Sequence, residues 1–179
     1  MVASWVYELP GKNLKGLAGG VLKGWAVSGI TDYHSGTPIG FGGGQNTPIF
    51  NGANRPDRVA GVSARSNVSA GSFDPHRDVY LNPAAIAGPA AYTIGTAGPR
   101  EPDLRTFASY NENFSLIKRT YIPNIRENFN VELRADFFNL FNRVVFGGPN
   151  TSFGSPGFGT VGGQANSPRI IQLGFRINY

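Results

Sequence analysis

Apolar and polar side chains alternate with period two in five places along the chain. The clearest is residues 169–179, where Ile171, Leu173, Phe175, Ile177 and Tyr179 share one face. Gln172, Gly174, Arg176 and Asn178 share the other, which is the signature of a strand with one apolar side. In residues 128–138, Phe129, Val131, Leu133, Ala135 and Phe137 alternate with Asn130, Glu132, Arg134 and Asp136. That run of about 11 residues is the length that crosses a bilayer as a tilted strand. A third alternation, over 109–120, places Tyr110, Phe114 and Leu116 opposite Ser109, Asn111, Asn113, Ser115 and Arg119, broken only by Ile117. A fourth sets Trp25, Val27 and Tyr33 against Ala26, Ser28, Asp32 and His34, with Ile30 the exception. The fifth sets Ala3, Trp5, Tyr7 and Leu9 against Val2, Ser4, Val6 and Glu8.

The spacers alternate in length. Residues 10–21 read as a short Gly-rich, Lys-bearing connection, and 121–127 as another, with Pro123-Asn124 as its turn. Residues 35–106 and 141–167 are long, rich in small residues and proline, and without sustained periodicity. Gly and Pro interrupt nearly every window in which a helix could form. The pattern predicts an all-β chain: an antiparallel up-and-down meander of about five strands, near 2–9, 22–34, 107–120, 127–140 and 168–179. One end of such a sheet carries tight turns and the other carries the two long loops, as in outer-membrane barrels.

A soluble sandwich also alternates. Here the aromatics fall near strand ends. Tyr7, Trp25, Phe129 and Tyr179 lie toward the short-turn end, and Tyr33, Tyr110 and Phe137 toward the other. Aromatic girdles of this kind flank the lipid-facing band of a membrane barrel. The side bearing Trp5, Val131 and Phe175 is then expected to meet hydrocarbon. Glu132, Arg134, Asp136 and Arg176 are expected to line a wet interior. The alternative is a soluble or secreted all-β binding module, such as a carbohydrate-binding sandwich, with those charges on its solvated outside.

Composition narrows the remaining classes. The 179 residues include 25 Gly, 13 Pro and no Cys, with 12% aromatics. That aromatic content argues against simple disorder. Without Cys there is no disulfide scaffold, thiolate metal site or cysteine nucleophile. Two His, His34 and His76, cannot build a multi-His zinc site. The net charge of +5 is scattered, with no basic run, so nucleic acid is not an expected partner. No stretch approaches ~18 consecutive apolar residues, and the N-terminus lacks the basic and apolar regions of a signal peptide. Gly40–Gly44 lacks the lysine of a phosphate loop. Strand alternation separates Ser35 from Asp32 and His34, and it puts Glu132 and Asp136 roughly 13 Å apart at ~3.3 Å per residue, too far for a glycosidase pair. Catalysis and a cofactor are therefore not expected. Phe41, Phe50, Phe73, Tyr80 and Tyr92 in the first long loop are candidates for stacking on a ligand, with packing inside the loop as the alternative.

Three stretches carry a family resemblance. They are GWAVSGITDYHSGTPI (24–39), VELRADFFNLFNRVVFGGPN (131–150) and SPRIIQLGFRINY (167–179), supported by NRPDRVAG (54–61) and YLNPAAIAGPA (80–90). Together they resemble the C-terminal part of TonB-dependent outer-membrane receptors of the carboxypeptidase-regulatory-like, acidobacterial type. Asp136 stands where that family commonly has Glu, and Tyr179 where it usually ends in Phe. The resemblance implies a segment of a 22-stranded transmembrane barrel that takes up a substrate such as an oligosaccharide or metal chelate. The rest of the barrel and the plug would be absent, making Met1 a fragment boundary or misplaced start, with TonB engaged through the parent protein. It also implies that Ile171, Leu173, Phe175, Ile177 and Tyr179 form the lipid-facing terminal strand read by the barrel-assembly machinery, in the cell outer membrane. An unpaired edge strand can add to the assembly protein's own sheet.

Overall fold

The structure is a computed structural model that describes residues 1–11, 16–43, 55–69, 71–127 and 129–179. It divides into two compact units. The first comprises residues 1–34, 109–144 and 167–179, and the second residues 35–108 and 145–166.

The first unit is one five-stranded antiparallel sheet. Its strands are β1 (Val2–Glu8), β2 (Trp25–His34), β6 (Ser109–Tyr121), β7 (Asn130–Phe138) and β9 (Ile170–Asn178), hydrogen-bonded in that order. The meander expected from the alternation is the meander observed. The register joins the five apolar faces. Trp5 lies opposite Gly29, Gly29 opposite Phe114, Phe114 opposite Phe137 and Phe137 opposite Ile171. The next row is Tyr7, Val27, Leu116, Ala135 and Leu173. The strands are staggered. Glu8, the last residue of β1, pairs with Ala26 near the start of β2, whereas Tyr121 at the end of β6 pairs with Asn130, and Asn130 with Asn178. A sheet that is to close into a barrel needs such progressive displacement.

The connection between β1 and β2 holds a short helix, α1 (Gly16–Leu22). Residues 10–21 were expected to be plain connection and Leu22 to open the second strand; Leu22 instead closes α1. Three glycines in seven residues hide the helix, because each weakens helix propensity by about 1 kcal/mol. What holds it is tertiary. Lys118 Nζ donates to the carbonyls of Gly20 (3.1 Å), Val21 (2.9 Å) and Lys23, and Trp25 Nε1 donates to Val21 O at 2.8 Å. After α1 the chain turns at Gly24, whose φ is +71°. A Cβ there would stand 2.0 Å from the Arg119 carbonyl, so only glycine fits.

The two long loops are not structureless. They fold together as the second unit, with their own core of Phe41, Ala64, Phe73, Tyr80, Leu81, Ala85, Ile86, Ala97, Leu104 and Val161. Phe73 and Tyr80 from the first loop, Phe107 just past it and Phe146 from the second form one ring cluster, with contacting centroids 4.5–5.9 Å apart. Very short ladders add direction. β3 (Gly42–Gly43) runs parallel to β8 (Ser152–Phe153), and β4 (Asp57–Arg58) antiparallel to β5 (Ile86–Ala87). Arg58 staples this unit by donating to Ala85 O at 2.9 Å and pairing with the buried Glu101 at 3.4 Å.

Candidate functional site

The sheet's two faces are the functional feature. On the polar face, Arg119 Nε meets Glu132 Oε2 at 2.6 Å across β6 and β7. Arg134 Nε donates to both oxygens of Asp136, at 2.7 and 2.9 Å, and Ser115 Oγ donates to Asp136 as well. Asn178 Nδ2 donates to Asn130 Oδ1 at 2.8 Å. Arg176 stands directly opposite Glu132. Both arginines of the two ion pairs remain about half exposed, so each pair contributes at most about 1 kcal/mol. Their alignment sets arginines beside carboxylates on one face and shapes a polar, charge-paired surface.

On the apolar face, Ile171, Leu173, Phe175 and Ile177 project from β9 alongside Phe137, Ala135, Leu133 and Val131 of β7. Leu173 is 79% exposed and Phe175 65%. Within this unit no second layer covers that face among the described residues. Tyr179 follows the last strand residue and is exposed. Trp5 lies across Gly29, where a Cβ would come within 2.5 Å of the indole, and it reaches Phe114 at 6.3 Å. Tyr33 and Tyr110 meet edge-to-face at 5.4 Å, at the long-loop end of the sheet.

Two charged residues share the apolar face, and the alternation pattern gave them no role. Lys118 stands between Trp25 and Leu133, and Glu112 opposite Thr31. Both are buried and both are satisfied. The Lys118 ammonium donates hydrogen bonds to the backbone carbonyls of Gly20, Val21 and Lys23. Glu112 accepts from Tyr33 Oη at 2.7 Å and from Arg143 Nε at 3.0 Å. Their phase, even-numbered with Phe114 and Leu116, is the signal that could have assigned them.

The segment Phe138-Asn139-Leu140-Phe141-Asn142-Arg143 ties the sheet's long-loop end. Asn139 and Asn142 both have positive φ, 51° and 53°. The Asn139 side chain donates to Arg143 O (2.9 Å) and Ser167 O (3.0 Å) and accepts from Arg143 N (2.8 Å). Its backbone N–H donates to Asn113 Oδ1 at 3.0 Å. Asn142 Oδ1 accepts from Arg169 N at 3.0 Å. One turn thus links β6, the exit of β7 and the approach to β9.

Residues 1–172 match a family described as an outer membrane beta barrel domain. The chain belongs to that family. No curated protein and no solved structure matches it. As an outer membrane beta barrel domain the protein resides in the outer membrane, and its sheet is a stretch of barrel wall that does not close by itself. Among the described residues β1 pairs only with β2, and β9 only with β7, so both flanks are open edges.

For three of the loop aromatics the alternative of packing inside the loop holds. Phe41, Phe73 and Tyr80 lie in the second unit's core, 4–7% exposed, and cannot stack on a ligand. Their spacing carries no period because their partners are dozens of residues away. Tyr92 is exposed, with φ of 62°. Phe50 lies outside the described residues. Among the described residues, no group of three or more His, Asp and Glu side chains converges as a metal site.

Proposed function

We propose that this chain is the C-terminal wall segment of a TonB-dependent outer-membrane receptor that takes up a substrate such as an oligosaccharide or metal chelate. The carrying observation is the register, which collects five apolar faces on one side of an uncovered sheet and the ion pairs on the other. In this reading Ile171, Leu173, Phe175, Ile177 and Tyr179 face lipid and present the assembly signal, while Glu132, Arg134, Asp136 and Arg176 face the lumen. The open edges of β1 and β9 pair with the remaining strands of a larger barrel, because unpaired strand edges are not tolerated in hydrocarbon. The parent's plug and the TonB complex supply gating and energy. Nucleic acid is not a partner, and no reaction is catalysed. Exposed loop residues such as Tyr92 contact the substrate.

The test is uptake of labelled oligosaccharides and ferric chelates by cells making the parent barrel, with and without TonB. Saturable uptake that disappears without TonB supports the reading. Uptake that persists unchanged without TonB identifies a passive pore and overturns it.

A further inference from the structure

Helix α1 sits at the short-turn end of the sheet, and its position relative to the two faces can be read from its contacts. Gly16, Gly19 and Gly20 line a cavity of about 580 Å³ at the rim, together with residues of both faces, among them Glu8 and Arg119 of the polar face and Trp25 and Thr120 of the apolar face. The C-terminal end of the helix is held from the apolar face. Lys118 and Trp25, both on the apolar face, bond the carbonyls of Gly20, Val21 and Lys23. The Lys118 ammonium also lies 5.5 Å from the centroid of the Trp25 ring. The helix therefore lies along the rim of the wall, with its C-terminal end on the apolar side.

What it presents there is apolar. Val21 is 65% exposed and Leu22 52%. A helix in a turn that faced only water would gain nothing from exposing two branched aliphatic residues beside a tryptophan. At a membrane interface the same set is favourable, because Trp occupies the headgroup level and aliphatic side chains enter the acyl boundary. Lys118 removes the main obstacle. A helix end lying at the edge of hydrocarbon leaves carbonyls without donors, and an ammonium in the wall lacks a counter-charge. Each satisfies the other.

We propose that α1 is an interfacial anchor: clamped to the outward face by Lys118 and Trp25, it inserts Val21 and Leu22 into the periplasmic-leaflet lipid that adjoins the barrel wall. The occupant is lipid because this surface continues the apolar face of β2, β6 and β7 at Trp25 and Leu133. The inference rests on the reading that this face of the sheet meets lipid.

The chain has no cysteine, so a single introduced thiol reports one place. Leu22→Cys and Leu173→Cys, each labelled with a nitrobenzoxadiazole fluorophore, are compared in the parent barrel, freed of any other cysteine and reconstituted in phosphatidylcholine vesicles bearing nitroxides at headgroup or deep-acyl depth. The label at 173 should be quenched best by the deep nitroxide, and the label at 22 best by the shallow one. Lys118→Met should reduce quenching at 22 several-fold and leave 173 unchanged. Quenching at 173 without quenching at 22 overturns the anchor and leaves the wall intact. Absence of quenching at both overturns the lipid-facing wall, and the anchor with it. The comparison of positions 22 and 173 does not depend on how Lys118→Met folds.

Discussion

Asn139→Ala should be among the most damaging single changes in the sheet. The Asn139 side chain is buried and makes three hydrogen bonds, two to carbonyls of Arg143 and Ser167 and one from the Arg143 amide. Removing it leaves three polar groups short of a partner, at about 1 kcal/mol each. Alanine also tolerates a φ of 51° less well than asparagine, adding about 1 kcal/mol. The expected total is about 4 kcal/mol, a large share of a typical domain's stability of about 5–15 kcal/mol. Asn139→Gly loses the same bonds without the backbone penalty, so it should fall about 1 kcal/mol short of that loss. The assay is urea unfolding of the chain in detergent micelles, followed by far-ultraviolet circular dichroism. A loss below about 1 kcal/mol for Asn139→Ala would refute the view that this turn locks the approach to β9. So would an alanine variant as stable as the glycine variant.

Other consequences are as direct. A double-mutant cycle on Arg119 and Glu132 should return a coupling of only about 0.2–1 kcal/mol, fading in high salt, because Arg119 is half exposed; a coupling of several kcal/mol would mean the pair is far drier than described. Gly29→Ala should push the Trp5 indole off the sheet, costing about 1–3 kcal/mol and shifting tryptophan emission; an unchanged spectrum would contradict the contact. Burial raises the Tyr80 phenol above its ordinary 10.0. Folding thus favours the neutral form, and this contribution to the second unit is complete below pH ~10 and lost as pH rises through the folded value. Tyr80→Phe should flatten that alkaline loss, while forfeiting the 2.5 Å hydrogen bond to Arg105 O; an identical alkaline profile would exclude the phenol as its source.

The sequence showed which face of each strand is apolar because period two needs only neighbours a few residues apart. The FFNLFNR stretch stood out as a signature, yet its reason lay elsewhere. Asn139 is needed for its left-handed backbone and its reach to Ser167, and neither is visible in a linear pattern. Lys118 and Glu112 sit in the apolar phase of β6, and the alternation passed over them, because nothing in a period-two pattern names α1 and Arg143 as their partners. The second unit was the least legible. Its core joins residues such as Phe73 and Phe146, which lie in different loops, and glycine and proline between them erase any local period.

The decisive measurement is a nitroxide scan of β7, which is paired on both sides, in the parent barrel reconstituted in lipid vesicles. Single spin labels at positions 130–138 are relaxed either by oxygen, which concentrates in hydrocarbon, or by a water-soluble nickel chelate. Labels at Val131, Leu133, Ala135 and Phe137 should respond to oxygen, and those at Glu132, Arg134 and Asp136 to nickel, in strict alternation. Equal nickel access at both sets, or the opposite phase, would contradict a wall with lipid on one side and water on the other.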